Sequence, residues 1–396
     1  MSEKDGTLFT RDFMLCTMIL FFCVVMFFMT YTGMTSYVKL EFGTDSALAA
    51  VTVSLFIVGD LVARLLSGKA IAAIGLKNLI ALSLAASTVL SLLYFVVWDV
   101  SSMSVLRFLH GMTYGAASTA VNTKVARTIP SERMGEGMGY FMLSMSIGSA
   151  VGPMLSMILD DDGIYTDIFM IGFVMSLIGT VFAVLLSGDK GETGPTRGSK
   201  GLIERSALPI SIVALVFFLA YSGVLSFMSP FGDHIGLGSF ATFFFVALSI
   251  STLLSRMFLG KVYDVRGENI LLIPSFILFI AGMVLMATTD NGWVLLISGA
   301  MMGVNVAMLV SAGNSIVIKL TSADRVAVAI STFNIFIDLA YVIGPVIHGS
   351  LIDEMGYQEN YLVMAGVAVV SLIMYCLLHG RLVASGKIPK GSVKKD

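Results

Sequence analysis

Shifted by 192 residues, the chain falls on itself: Asn122 meets Asn314, Arg133 meets Arg325, Phe141 meets Phe333, Gly152-Pro153 meets Gly344-Pro345 and Tyr165 meets Tyr357. The same shift carries Arg64, Gly68 and Lys69 onto Arg256, Gly260 and Lys261, and a shift of 190 pairs Tyr31, Gly33 and Ser36 with Tyr221, Gly223 and Ser226. A chain that repeats at this distance is two copies of one unit, pointing the same way, and is expected to have a pseudo-twofold axis with its site between the halves.

Composition decides the solvent of those halves. Apolar residues make up 57%, charged residues 13%, and the mean hydropathy is +0.91, whereas soluble domains run at roughly 45–50% and about 25%. Apolar runs of about 20 residues, enough for a hydrocarbon core of roughly 30 Å, recur along the whole length. Twelve membrane helices are predicted, near 13–38, 46–67, 77–98, 102–123, 134–159, 166–187, 207–230, 238–259, 269–288, 292–318, 325–350 and 358–383. The fold class is therefore an all-α membrane protein of two six-helix bundles, 1–187 and 206–396, joined by the polar segment 188–205. That segment, rich in Gly, Lys, Thr and Ser, reads as a flexible cytoplasmic linker.

If both termini are cytoplasmic, every one of the 24 lysines and arginines except Lys39 and Arg107 lies on a cytoplasmic segment, the asymmetry that sets membrane topology. The opposite loops collect acids, among them Asp99, Asp160, Asp161, Asp162, Asp233, Asp290, Asp353 and Glu354. The first apolar run is too long for a removed signal peptide. The expected location is the plasma membrane. Cys16, Cys23 and Cys376 all fall inside predicted helices and read as packing residues, with neither a disulfide framework nor a metal site implied. No basic nucleic-acid fold, nucleophile–base pair or P-loop is present, which argues against nucleic-acid binding, an enzyme and ATP drive. No cofactor is called for, and a monomer suffices because two bundles already complete a cycle.

Three motifs give the chain a resemblance. Gly68-Lys-Ala-Ile-Ala72-Ala-Ile-Gly75-Leu-Lys77 and its copy Gly260-Lys-Val-Tyr-Asp264-Val-Arg266-Gly267 follow helices two and eight; Arg107-Phe-Leu-His-Gly111 opens helix four; Gly139, Gly148 and Gly152-Pro153 mark helix five. These are similar to the signature loops, arginine motif and antiporter motif of the major facilitator superfamily, and the chain most resembles its twelve-helix proton-coupled drug and metabolite efflux branch. The resemblance implies alternating access by two rocking bundles. The first loop has Ala72 where that family places an aspartate, so one expected gate contact is missing or has moved. Helix one, unlike that of many relatives, holds no acid between 13 and 38.

Physical chemistry assigns roles independently of the resemblance. Glycines in the two loops permit sharp turns, and Asp60, Arg64, Gly68, Glu136, Arg256, Gly260, Asp264 and Arg266 form a candidate gate. A local Asp60–Arg64 ion pair, one helical turn apart, explains those two without transport. Gly148, Gly152 and Pro153 remove bulk and one backbone bond from helix five, so tight helix packing and a bend are expected.

Arg107 is the most expensive residue to place: a guanidinium facing lipid costs ~2.5–3.5 kcal/mol on insertion scales. Its repeat mate is Gly299, so the packing of the unit does not require the charge. Arg107 either binds an anion or modulates a carboxylate, or else satisfies backbone carbonyls. His110, one turn later, is a candidate substrate ligand or a satisfied interior histidine. Asp338, whose mate is Ser146, lies near mid-bilayer, where burial would favour a protonated carboxyl. It is the candidate proton carrier, with Arg107 as partner; a counterion for a cationic solute is the other reading. Tyr31, Thr35, Tyr37, Asn122 and His110 from the first half, with Tyr221, Ser226, Asn305, Asn314 and Asn334 from the second, are candidate cavity residues. The reading that follows is a secondary transporter exporting a small organic solute against protons. A proton-independent facilitator or importer, and a non-transporting membrane sensor, are the alternatives.

Overall fold

The computed structural model describes residues 8–130, 133–160, 165–188, 203–322 and 325–385; the side chains of 134–136, 139, 146, 160, 257–265 and 327 lie outside that description. Among the described residues there are twelve long helices and one short terminal one: α1 Arg11–Phe42, α2 Ser46–Ile74, α3 Leu76–Leu93, α4 Val100–Thr128, α5 Met134–Asp160, α6 Thr166–Leu185, α7 Leu208–His234, α8 Gly238–Arg266, α9 Glu268–Thr288, α10 Gly292–Leu320, α11 Val326–Met355, α12 Tyr357–Tyr375 and α13 Arg381–Ala384. Eleven are long and apolar enough to cross a membrane; α4, which carries Arg107 and His110, is the long helix outside that set. The proposed linker falls almost entirely outside the described residues.

Two segments expected to be loops are helical. Gly68–Ala72 belongs to α2 and Gly260–Asp264 to α8, because Lys-Ala-Ile-Ala-Ala-Ile and its copy contain no residue that breaks a helix. The turn contracts to a single residue in each copy, Gly75 at φ 82° and Gly267 at φ 84°. Both angles lie in the left-handed region that glycine enters without steric cost. These two positions are themselves related by the 192-residue shift.

By contact, the chain divides into Met1–Phe42 with Leu55–Arg197, and Gly43–Ser54 with Gly198–Asp396. In the first unit α1 packs on α4, α5 and α6, and α3 packs on α4 and α6. In the second, α7 packs on α10, α11 and α12, and α9 packs on α10 and α12. These five pairs of the second unit are the five of the first with six added to each helix number. Residues 43–54, the first turns of α2, group with the second unit: Ala50 joins a buried cluster with Phe227 and Ile352, and Asp353 accepts the backbone N–H groups of Ser46 and Ala47, both at 3.2 Å.

Close helix crossings are made in the same way twice. On α4, a Cβ at Gly111 would lie 1.8 Å from the Phe56 carbonyl oxygen of α2; on α10, one at Gly303 would lie 2.2 Å from the Leu248 carbonyl oxygen of α8. The helix-five motif works similarly. Gly148 and Gly152 face Val24 and Phe28 of α1, each leaving less than 3 Å for a Cβ, and Gly344 of α11 faces Ser222 of α7. Small residues thus set the backbone approach of the crossing helices in both units.

Each unit is also tied at the end where α4 or α10 terminates. In the first, Lys124 of α4 donates to the Ser187 carbonyl at 2.9 Å and lies 3.6 Å from Asp12, which accepts the Ser187 backbone N–H at 3.1 Å and its hydroxyl. In the second, Glu268 at the start of α9 takes Lys319 of α10 at 3.0 Å and His379 at 3.1 Å. His379 sits in a π-helical turn, Cys376–Gly380, whose wider coil aims it at Glu268. Ser187 and His379 are repeat mates.

Candidate functional site

Among the described residues of the first unit, one buried cation has no carboxylate beside it. Arg107 is 0% exposed, and its Nη1 donates to Thr30 Oγ1 of α1 at 3.2 Å and to the Tyr94 hydroxyl at 3.4 Å. One face of the guanidinium lies 4.5 Å from the centroid of the Phe56 ring, a cation–π contact that offsets part of its desolvation. Nε and Nη2 are buried and have no hydrogen-bond partner. Asp60, the buried carboxylate of α2, is bound instead to Arg64 Nε at 2.7 Å, as the one-turn spacing predicts.

From Arg107 runs a chain of hydrogen bonds. Arginine can only donate, so the Tyr94 oxygen accepts from it, and the same hydroxyl lies 3.1 Å from His110 Nδ1. His110 Nε2 lies 2.9 Å from Ser87 Oγ. Ser87 contacts Ser176 Oγ at 3.2 Å, and Ser176 donates to Met26 Sδ at 3.3 Å. Both ring nitrogens of His110 are engaged inside the bundle, so it fixes Tyr94 and Ser87 and has no nitrogen left for a solute. A cavity of about 10 Å³ lies beside Ser87, Ser176, Cys23 and Tyr114, room for about one water.

The helix carrying this cluster starts at a capping box: Asp99 accepts the Ser102 backbone N–H at 2.8 Å while the Ser102 hydroxyl contacts the Asp99 N–H at 3.3 Å. Hydrogen bonding from the Ser102 side chain, and then from its backbone N–H, holds the Asp99 carboxyl below its usual range, and the capping box fixes where the first turn of α4 begins.

The other expected cavity residues are spread over both units. In the first, Tyr31, Thr35 and Tyr37 are buried on α1; Thr35 Oγ1 has no partner, whereas Tyr37 packs edge-on against Tyr165 and Phe169. Asn122 and its mate Asn314 make the same local bond, to the Ser118 and Val310 carbonyls at 2.7 and 3.0 Å, although Asn314 Oδ1 is buried without a partner. In the second unit Tyr221 is buried between Phe218 and Phe279, and the Ser226 hydroxyl is buried and unpaired. Asn305 takes a bond from Ser275 at 3.1 Å through Oδ1 and leaves Nδ2 unpaired. Asn334 and Asp338 are half-buried one turn apart on α11.

Of the gate set, Asp60 and Arg64 are joined, Gly68 faces open space and Arg266 is exposed. Arg256 is half-buried on α8. The side chains of Glu136 and Asp264, and the surroundings of Gly260, fall outside the described residues.

Sequence reasoning missed two groups. Tyr94, Ser87 and Ser176 complete the Arg107 cluster. In the second unit His348 is 0% exposed, with Nε2 at 3.0 Å from the Leu219 carbonyl and Nδ1 at 2.9 Å from Asn360 Nδ2. Its ring fills the place opposite Gly223, where a Cβ would lie 2.1 Å away, as Ser156 lies opposite Gly33 in the first unit. Reading His348 against its mate Ser156 would have flagged it.

Two bundles built to one packing graph, with the paired loop glycines, agree with the sequence profile of the Major Facilitator Superfamily, which matches residues 17–292 and 249–395. The chain belongs to the Major Facilitator Superfamily. It is a multi-pass membrane transporter, and not an enzyme. Among similar proteins, an MFS-type transporter of Methanocaldococcus jannaschii is 24% identical over 299 residues, 72% of this chain and 77% of that one. The multidrug resistance protein MdtG of Enterobacter lignolyticus is 22% identical over 340 residues, 81% of this chain and 80% of its own. Solved superfamily structures share the fold: a variant of the nucleoside transporter NupG at a TM-score of 0.80 and 14% identity, covering 93% of this chain and 100% of that one, and a POT family transporter in complex with a peptide conjugate at 0.77 and 15%, covering 96% and 97%.

Proposed function

We propose that this superfamily member is a secondary active transporter of the plasma membrane that exports a small organic solute in exchange for protons, with both termini cytoplasmic. The observation that carries the reading is Arg107: a permanent cation, fully buried on α4 of a membrane protein, with two nitrogens unused. A charge of that kind is retained at a stability cost where a membrane protein handles solutes or protons. Export is supported by the name of the MdtG relatives, and the cytoplasmic orientation by the placement of lysine and arginine.

Asp338 is the proton carrier in this scheme, since it is a carboxylate far from either end of the membrane-length helix α11. Its protonation changes the charge that the second bundle presents to solute and so biases the two access states. Purified protein in liposomes loaded with a pH dye, challenged with cationic, neutral and anionic solutes, tests this. Solute-triggered proton movement should disappear in Asp338→Asn while exchange of solute for solute persists; unchanged proton movement in that variant overturns the role. A facilitator is the second reading, favoured by α1, whose span from 13 to 38 holds no acid. It predicts solute flux with no proton movement in wild type.

A further inference from the structure

We propose that the solute bears a carboxylate or a similar two-oxygen anionic group, and that the Nε/Nη2 edge of Arg107 is its binding fork; this rests on the transport reading above. The two unpaired nitrogens are not an arbitrary pair. Nη1 is held by Thr30 and Tyr94, and the Phe56 ring covers one face. What remains is the side of the guanidinium on which two N–H groups point in parallel, the geometry that takes both oxygens of one carboxylate. A neutral carbonyl or a halide would use only one of them.

The described residues of the first unit supply no substitute. Among the described residues no carboxylate reaches Arg107, and Asp60 is spent on Arg64 at 2.7 Å. His110 cannot serve, because Tyr94 and Ser87 already occupy its nitrogens. A guanidinium does not shed its proton at any accessible pH, so its desolvation has to be met by an anion in some state of the cycle. The Tyr94–His110–Ser87–Ser176 chain positions the fork: it holds Nη1 and leaves the Nε/Nη2 edge buried and unpaired.

The test uses the full chain in lipid nanodiscs and three acid–amide pairs as probes: benzoate and benzamide, hexanoate and hexanamide, N-acetylphenylalanine and its amide. Binding is read by the ligand-induced shift in unfolding temperature, and flux of the same six compounds is followed in liposomes. At least one acid should bind roughly tenfold or more tightly than its amide, the return on a charge-assisted pair. Arg107→Lys, which keeps the charge but loses the fork, should abolish that preference; Asp12→Asn, at the end of the bundle and outside the Arg107 cluster, should keep it. Acids that bind no better than amides, no acid binding at all, or a preference that survives in Arg107→Lys overturns the proposal. Flux of neutral or cationic solutes without acid preference sinks the carboxylate fork and leaves transport standing, whereas acid preference without flux does the reverse.

Discussion

The two bundles share a frame and differ in their polar interiors. Gly111 and Gly303 make the same crossing, Gly75 and Gly267 the same turn, and Asn122 and Asn314 the same local bond. Yet Arg107 stands where the second bundle has Gly299, against which the ring of Phe244 packs, and His348 stands where the first has Ser156. A feature present in both copies is explained by what both must do, which is fold and cross a membrane. A charged or titratable group present in one copy is not needed for that frame, and is where the function of the duplicate has to be sought.

The comparison can be broken most sharply at Arg107. Replacing a buried charge with an apolar residue of similar volume is often neutral or stabilising, so Arg107→Met should unfold no earlier than wild type while losing transport by roughly a hundredfold or more, two bonds and a fork being removed together. The ties at the bundle ends come next. Glu268 and Lys319 are 0% and 5% exposed as side chains, whereas Asp12 is 16% exposed and stands 3.6 Å from Lys124. Glu268→Gln removes the carboxylate charge that the buried Lys319 faces and should cost ~3–5 kcal/mol; Asp12→Asn should cost ~1 kcal/mol or less. Equal costs, read by denaturant or thermal unfolding, would show that the two ties are equivalent after all.

Gly111→Ala and Gly303→Ala probe the shared frame. Each should destabilise by ~1–3 kcal/mol, the usual cost of overpacking, and by similar amounts; a large disparity would mean that the crossings are not alike. The smallest effect is expected at Glu204, which binds Arg325, the mate of Arg133. Its hydrogen bond with Arg325, and then that from the Ser206 backbone, hold its carboxyl below the usual range. A carboxyl lowered in the folded state adds stability above its unfolded pKa and loses it as pH falls through the folded value. Wild type should therefore lose its small advantage over Glu204→Gln as the buffer is taken below about pH 4; an advantage independent of pH would deny the pair.

Helix number, spans and the duplication were legible because apolar run length and a fixed repeat are properties of the chain itself. The loop motifs were over-read: Gly68–Ala72 and Gly260–Asp264 continue α2 and α8, and only the positive-φ glycines at 75 and 267 break them. Arg107 and Asp338 stood out as charges in apolar runs. The partners of Arg107 did not, since Tyr94, Ser87 and Ser176 come from three places in the chain and are ordinary residues in each. His348 was hidden for the opposite reason, being a single titratable residue whose meaning appears only beside Gly223 and Asn360.

The most direct measurement is flux and unfolding temperature on one preparation of Arg107→Met in liposomes and nanodiscs, beside wild type. Flux lost with unfolding temperature unchanged or raised is the predicted result; flux retained, in a protein that folds as well as wild type, would contradict the assignment of function to the residues that the two bundles do not share.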